Sequence, residues 1–169
     1  MISVEEFDRL EEEEFRYELD EGELITLTRP STDHGRIERR LLIALQTYLD
    51  SRGMGEAFGS NILFVLGPNT KRAPDVSVVL REIGSVKEIT GAPDIAAEIL
   101  SPSNTKREMK RKFRQFFATG CKLAWIIDPN ARTVEVWDSA AGPAKILQAS
   151  DFLGTPLLPG FTHPVAKLF

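Results

Sequence analysis

The sequence predicts an α/β fold, a mixed β-sheet flanked by helices, and three observations carry that prediction. Residues 95–127 read strand, helix, strand, which is a crossover unit joining parallel neighbours. A long helix after Ser31 places Ile37, Leu41, Leu42, Leu45, Tyr48 and Leu49 at spacings of three and four. Around these lie short apolar runs punctuated by Gly, Pro and Asn, as strands are. At 169 residues and 42% apolar composition, the chain suits one domain, residues 1–169, with a proper core.

The elements follow in order. Ser3 with Glu6 makes a capping box that opens a short acidic helix, ending before Phe15. Phe15 to Leu19, the turn Asp20-Glu21-Gly22 and Glu23 to Thr28 read as a β-hairpin. Pro30 and Ser31 introduce the long helix and Gly53 ends it. Three strands are expected next, Ala57 to Leu66, Asp75 to Leu80 and Ile95 to Leu100, with the turn Gly67-Pro68-Asn69 between the first two. Ser101-Pro102-Ser103-Asn104 is a loop able to cap a helix that buries Met109, Phe113, Phe116 and Phe117 and stops at Gly120. Strands Lys122 to Ile127 and Thr133 to Trp137 flank the turn Asp128-Pro129-Asn130.

Several function classes drop out at once. The apolar runs are far shorter than the roughly 18 residues of a membrane span, and the acidic N-terminus has no signal-peptide core, so a cytoplasmic protein is expected. One cysteine, Cys121, and two histidines cannot build a disulfide or a zinc finger, and Cys121 reads as core. There is no Walker loop, dinucleotide glycine fingerprint or Gly-x-Ser-x-Gly elbow.

The net charge of −4 is the wrong sign for bulk attraction to nucleic acid, but its distribution is uneven. Residues 1–23 hold eleven acids and two bases, which leaves the remainder at +5. Within that remainder, Lys106, Arg107, Lys110, Arg111, Lys112 and Arg114 face only Glu108, a local charge of +5. Such a run is either a solvated helix face or a face turned to phosphate.

Two acids stand in places that demand an explanation. Glu98 interrupts the apolar run Ile95-Ala96-Ala97-Glu98-Ile99-Leu100, where a carboxylate is costly unless paired, hydrogen-bonded or metal-bound. Asp75 opens another strand after Pro74, where turn chemistry is the ordinary reason for it. If those strands are antiparallel neighbours, the two carboxylates meet. With a backbone carbonyl such as that of Ile99 they suit Mg²⁺, which keeps several waters and binds phosphate oxygens. Lys112, at the edge of the buried helix face, is the candidate cation; its alternative is a surface pair with Glu108 one turn away.

In order along the chain these residues resemble the Uma-type restriction endonuclease family, within the PD-(D/E)XK nuclease superfamily. The resemblance covers nearly the whole chain. Tyr17-Glu18-Leu19 with Gly22-Glu23-Leu24, Pro30 with His34, and Ala73-Pro74-Asp75-Val76-Ser77 carry its first half. Ala92-Pro93-Asp94, Glu98-Ile99-Leu100-Ser101-Pro102-Ser103-Asn104, Lys112 with Phe116, Gly120, Trp125, Asp128-Pro129 and Leu158-Pro159-Gly160-Phe161 carry the rest.

The resemblance implies a restriction-endonuclease-like core in which Asp75 and Glu98 hold Mg²⁺, or Mn²⁺ as a substitute, and Lys112 completes the catalytic set. Glu18 matches an acidic family position that could approach the same site, His34 matches a frequent family residue, and both are candidate additional site members. The superfamily's usual lysine, two residues after the acid, is replaced here by Leu100; the family is thought to supply it from the following helix. Glu108 and Phe116 stand where the family usually has Asp and Tyr. The expected activity is hydrolysis of DNA phosphodiesters by a homodimer, with Lys106, Arg107, Lys110 and Arg111 on the DNA backbone. A non-catalytic nucleic-acid-binding or accessory module with the same fold, and a structural protein whose acids are satisfied internally, are the competing readings.

Overall fold

The computed structural model describes residues 2–9, 16–102 and 105–169. Helix α1 (Val4–Phe7) is followed by β1 (Arg16–Asp20), β2 (Glu23–Leu27), helix α2 (Thr32–Arg52), β3 (Glu56–Gly59) and β4 (Phe64–Gly67). Next come β5 (Thr70–Arg72), β6 (Val76–Val79), β7 (Ile89–Thr90), β8 (Ile95–Ile99), helix α3 (Lys106–Ala118) and β9 (Leu123–Asp128). Strands β10 (Thr133–Trp137), β11 (Lys145–Leu147), β12 (Phe152–Thr155), β13 (Leu158–Pro164) and a 3-10 turn (Val165–Leu168) complete the chain.

The central sheet runs β11-β10-β9-β8-β6-β3, with β8 and β9 parallel and every other pairing antiparallel. Its two faces are covered differently. Helix α2 buries Ile37, Leu41, Leu45 and Leu49 against Val76, Val78, Ile95, Ala97 and Trp125, with the β12–β13 hairpin extending that core. Helix α3 buries Met109, Phe113 and Phe116 against Ala96, Ala124, Ile126 and Trp137 on the other face. Because both faces are covered, β8 and β9 are apolar almost without alternation, which is how a parallel pair inside an α/β core reads.

A second sheet, β2-β1-β5-β4-β7, carries the N-terminal hairpin. Its turn uses left-handed backbone at Glu21 (φ 51°) and Gly22 (φ 88°), the geometry that matches the twist of a two-residue hairpin. The capping box of Ser3 and Glu6 forms, and α1 is fastened by the Val4 N–H to the Pro68 carbonyl and by buried Phe7. The expected acidic helix stops at Phe7, with Asp8 as its C-cap, and residues 10–14 of its expected span lie outside the described residues.

Three expectations need correction. The single strand over 57–66 is two strands in different sheets: β3 pairs with β6, the chain turns at Ser60-Asn61, and β4 pairs with β5 and β7. The Gly67-Pro68-Asn69 turn accordingly joins β4 to β5. Helix α3 is capped by Thr105, whose side chain accepts from the Glu108 N–H while Glu108 reaches back, rather than by the Ser101–Asn104 loop. Residues 103 and 104 of that loop lie outside the described residues. The short strands β5, β7, β11, β12 and β13 carry too little periodicity to be read from sequence.

Gly55 sets the corner where α2 hands the chain to β3. Its φ is +49°, and a Cβ there would stand 2.1 Å from the Val79 carbonyl oxygen and 2.8 Å from Leu80 Cα. Gly55→Ala should therefore cost roughly 2–4 kcal/mol, lowering Tm by about 5–10 °C in a thermal melt.

Candidate active site

The site lies where β6 and β8 part. Their register pairs Val76 with Ala97 and Ser77 with Ala96; continued by one residue it sets Asp75 opposite Glu98, on the face turned to α3. Asp75 comes just before β6 begins, so its carboxylate takes over the ladder: the Ile99 N–H donates to Asp75 Oδ2 at 2.7 Å. His34, in the first turn of α2, brings Nε2 to 3.1 Å of the same oxygen, and its Nδ1 lies 3.9 Å from Glu38. Oδ1 of Asp75 meets no donor among the described residues, and the side chain keeps some exposure, at 18%.

Glu98 is 5% exposed. Lys112 reaches it from α3, with Nζ 2.7 Å from Glu98 Oε1, 2.8 Å from Glu18 Oε1 and 3.0 Å from the Ala73 carbonyl oxygen. The approach to Glu98 is close enough for an ion pair but is not directed as a hydrogen bond, so Oε1 is buried without one. The surface pair of Lys112 with Glu108 does not form: Lys112 is 7% exposed, and Glu108 serves the helix cap.

Behind the lysine is a second layer. Arg72 Nη1 holds Glu18 Oε2 at 3.0 Å, Nη2 holds Asp20 at 2.6 Å and Nε donates to Gln115 at 2.8 Å, while the Ala73 N–H donates to Glu18 Oε1. Sequence reasoning missed Arg72, Asp20 and Gln115. The available signal was the cation pair Lys71-Arg72 directly before Ala73-Pro74-Asp75, since charges beside a buried motif need partners. Lys71 is likewise buried, on Asp8 and Glu88, away from this centre.

Burial pushes the Glu98 carboxyl up; the Lys112 ammonium pulls it back, the Asp75 and Glu18 carboxylates add to the rise, and it ends at about 8. For Lys112, burial alone favours the neutral amine, but Glu18, Glu98 and Asp75 outweigh it and hold the ammonium above its ordinary range. Lys112 is therefore a fixed cation near neutral pH and not a proton acceptor. Cys121 is buried and its thiol pushed up to about 11, chiefly by desolvation, so it is an inert core residue.

The donor set fits a hard divalent cation of the Mg²⁺ type. Asp75 Oδ1 and Glu98 Oε1 are carboxylate oxygens without hydrogen-bond donors, and Glu98 is raised chiefly by burial, with the Asp75 and Glu18 carboxylates adding to it. Among the described residues no three His, Cys, Asp or Glu side chains gather into a closed metal cluster, so any such ion would keep waters or take backbone oxygen. Of the cationic helix residues, Arg107, Lys110 and Arg114 are exposed. Arg111, expected on a DNA backbone, is instead engaged by Asp20 at 3.2 Å and Glu21 at 3.1 Å. The Lys106 side chain lies outside the described residues. Leu100, at the superfamily's lysine position, packs against the α3 core.

The electrostatics set a pH signature for stability. Between pH 4.5 and about 8 the folded state retains a proton on Glu98 that the unfolded chain has lost, so this group's contribution falls as pH rises through that window. Glu98→Gln, melted without divalent ions, should be more stable than the parent by roughly 2–4 kcal/mol at pH 8, with the gain vanishing near pH 4. Lys112→Ala leaves Glu18 and Glu98 buried without their cation and should lose about 3–5 kcal/mol in denaturant titration at pH 7.

The comparisons with known proteins agree with this architecture. The solved structure of a "putative nuclease" from Anabaena variabilis ATCC 29413 superposes with a TM-score of 0.87 at 23% identity, covering 100% of this chain and 98% of that one. At that identity the likeness is one of fold. No curated protein matches the chain. No helix among the described residues is long and apolar enough to cross a membrane. A family model described as "Putative restriction endonuclease" matches residues 4–166, and over that span the chain belongs to the Uma2 family.

Proposed function

We propose that this protein is a metal-dependent nuclease that hydrolyses DNA phosphodiesters at the Asp75–Glu98–Lys112 centre. The observation that carries the reading is the opposition of Asp75 and Glu98 at the opening between β6 and β8, with a buried ammonium beside them. Membership of the family described as "Putative restriction endonuclease" supports it.

Asp75, Glu98 and the Ile99 carbonyl would hold Mg²⁺ or Mn²⁺. A bound ion would supply the acidified water and the neutralisation of phosphate charge that such hydrolysis needs. The chain's own residues do the positioning. The Ile99 N–H and His34 fix Asp75 Oδ2, which presents Oδ1 outward. Glu18 and Ala73 hold the Lys112 ammonium beside Glu98, where its charge favours an anionic transition state in a water-poor setting. Arg107 and Lys110, exposed on the first turns of α3, supply backbone contacts. Cutting both strands of a duplex calls for two such centres, which a homodimer would provide.

One observation favours the second reading, a nucleic-acid-binding module without turnover. Three oxygens lie within 3.0 Å of the Lys112 ammonium, two of them carboxylate oxygens, so contact with a phosphate requires it to release a partner.

Plasmid nicking in Mg²⁺ and Mn²⁺ separates the two. For the nuclease, Asp75→Ala and Glu98→Ala should each lower the rate by about 100-fold or more. Nicking that persists in both variants removes the assignment. Calorimetric binding of Mn²⁺ and retention of DNA by a parent that never nicks would leave the binding module.

A further inference from the structure

A concavity of about 410 Å³ sits between the first turns of α2, the β9–β10 turn and the end of the chain. Three guanidinium groups line it, Arg36, Arg40 and Arg132, against one side-chain carboxylate, Asp33, and the terminal carboxylate of Phe169. Each arginine is held differently. Arg36 Nη1 pairs with Asp33 at 2.5 Å, Arg40 Nη1 donates to the Leu168 carbonyl at 3.2 Å, and the Arg132 guanidinium lies 5.1 Å from the centre of the Phe169 ring. Arg132 also has φ +54°, a left-handed conformation that glycine or asparagine adopts readily and arginine does not. Arg132 closes the β9–β10 turn, and from there its guanidinium lines the cavity.

The place of this cavity matters as much as its charge. Asp33 immediately precedes His34, which contacts Asp75. Pro129 immediately follows β9, and β9 runs parallel to β8 in a register that pairs Glu98 with Ile126 and Ile99 with Ile127. The cavity therefore opens on the same edge of the central sheet as the two carboxylates, on the side of α2. The exposed cations of α3 lie on the opposite face.

We infer that Arg36, Arg40 and Arg132 form a phosphate subsite that grips the nucleic-acid backbone beside the scissile position. Planar, always-charged forks at three points match the tetrahedral oxygens of a phosphodiester, and the Asp33 side chain together with the terminal carboxylate of Phe169 still leaves the guanidinium charge in excess. The Asp33–Arg36 pair holds that fork in the free protein and yields to phosphate. This inference rests on the nuclease reading above and adds a second contact zone to it, so that the backbone is held from α2 as well as from α3.

The test is fluorescence anisotropy of a labelled duplex DNA with the full chain, in Ca²⁺ and over a series of KCl concentrations. Arg36→Ala, Arg132→Ala and their double variant are compared with Arg39→Ala, which removes the same charge from α2 outside this cavity. Arg40 is left in place because it also holds the Leu168 carbonyl. The double variant should bind at least about tenfold more weakly near 0.1 M salt, and its slope of log affinity against log salt should fall by about 2. Arg39→Ala should keep the parent slope. A double variant with the parent's slope, or one indistinguishable from Arg39→Ala, overturns the subsite while nicking by the parent leaves the nuclease reading standing. A parent that neither binds nor nicks DNA overturns both.

Discussion

Burying one ammonium group among carboxylates is the constraint that the rest of this molecule is arranged to satisfy. Lys112 comes from α3, Glu18 from β1, Glu98 from β8 and the Ala73 carbonyl from the link between β5 and β6, so a single cation ties together four segments of the chain. A buried charge of this kind tolerates no missing partner, because desolvation outweighs what a distant counter-charge returns. The second layer follows from the first: Glu18 must stay in place for Lys112, and Arg72, itself bound to Asp20 and Gln115, keeps it there. The N-terminal hairpin, peripheral in the sheet diagram, is in this sense part of the centre.

Charge is not balanced at that centre. Glu18, Asp75 and Glu98 outnumber Lys112 and Arg72, and the Asp75 and Glu18 carboxylates add to the rise that burial imposes on the Glu98 carboxyl. A protein selected for stability alone would have an apolar residue in the middle of β8, as the rest of that strand does. Retaining an acid there resembles the general pattern in which functional sites give up stability for an environment that chemistry can use.

The parts of this architecture legible in the sequence were those with long periodic patterns. Helices α2 and α3, the crossover through β8 and β9, and the first hairpin are strongly patterned, and their expected ends lie within a residue or two of those observed. Where the pattern was short, reading stopped. Residues 57–66 look like one continuous apolar strand, and nothing local reports that the chain changes sheets at Ser60-Asn61; that choice is made by the pairing partners β6, β5 and β7. For the site, Asp75 and Glu98 stood out because each was odd where it was. Lys112 was harder, because helical spacing offers Glu108 as an equally good neighbour; the Thr105-x-x-Glu108 capping box that claims Glu108 was the local signal against that pair. Arg72 was invisible, since its partners are a hairpin and a helix 54 and 43 residues away along the chain.

Two backbone amides end on carboxylates of the centre: that of Ala73 on Glu18 and that of Ile99 on Asp75. Neither bond belongs to a sheet ladder, so each survives only while its side-chain acceptor stays in position. Isotope exchange at these two amides thus monitors the two halves of the site separately, Ala73 the lysine clamp and Ile99 the aspartate. Their lifetimes against those of β9 amides distinguish a centre that breathes on its own from one that opens only with the whole core.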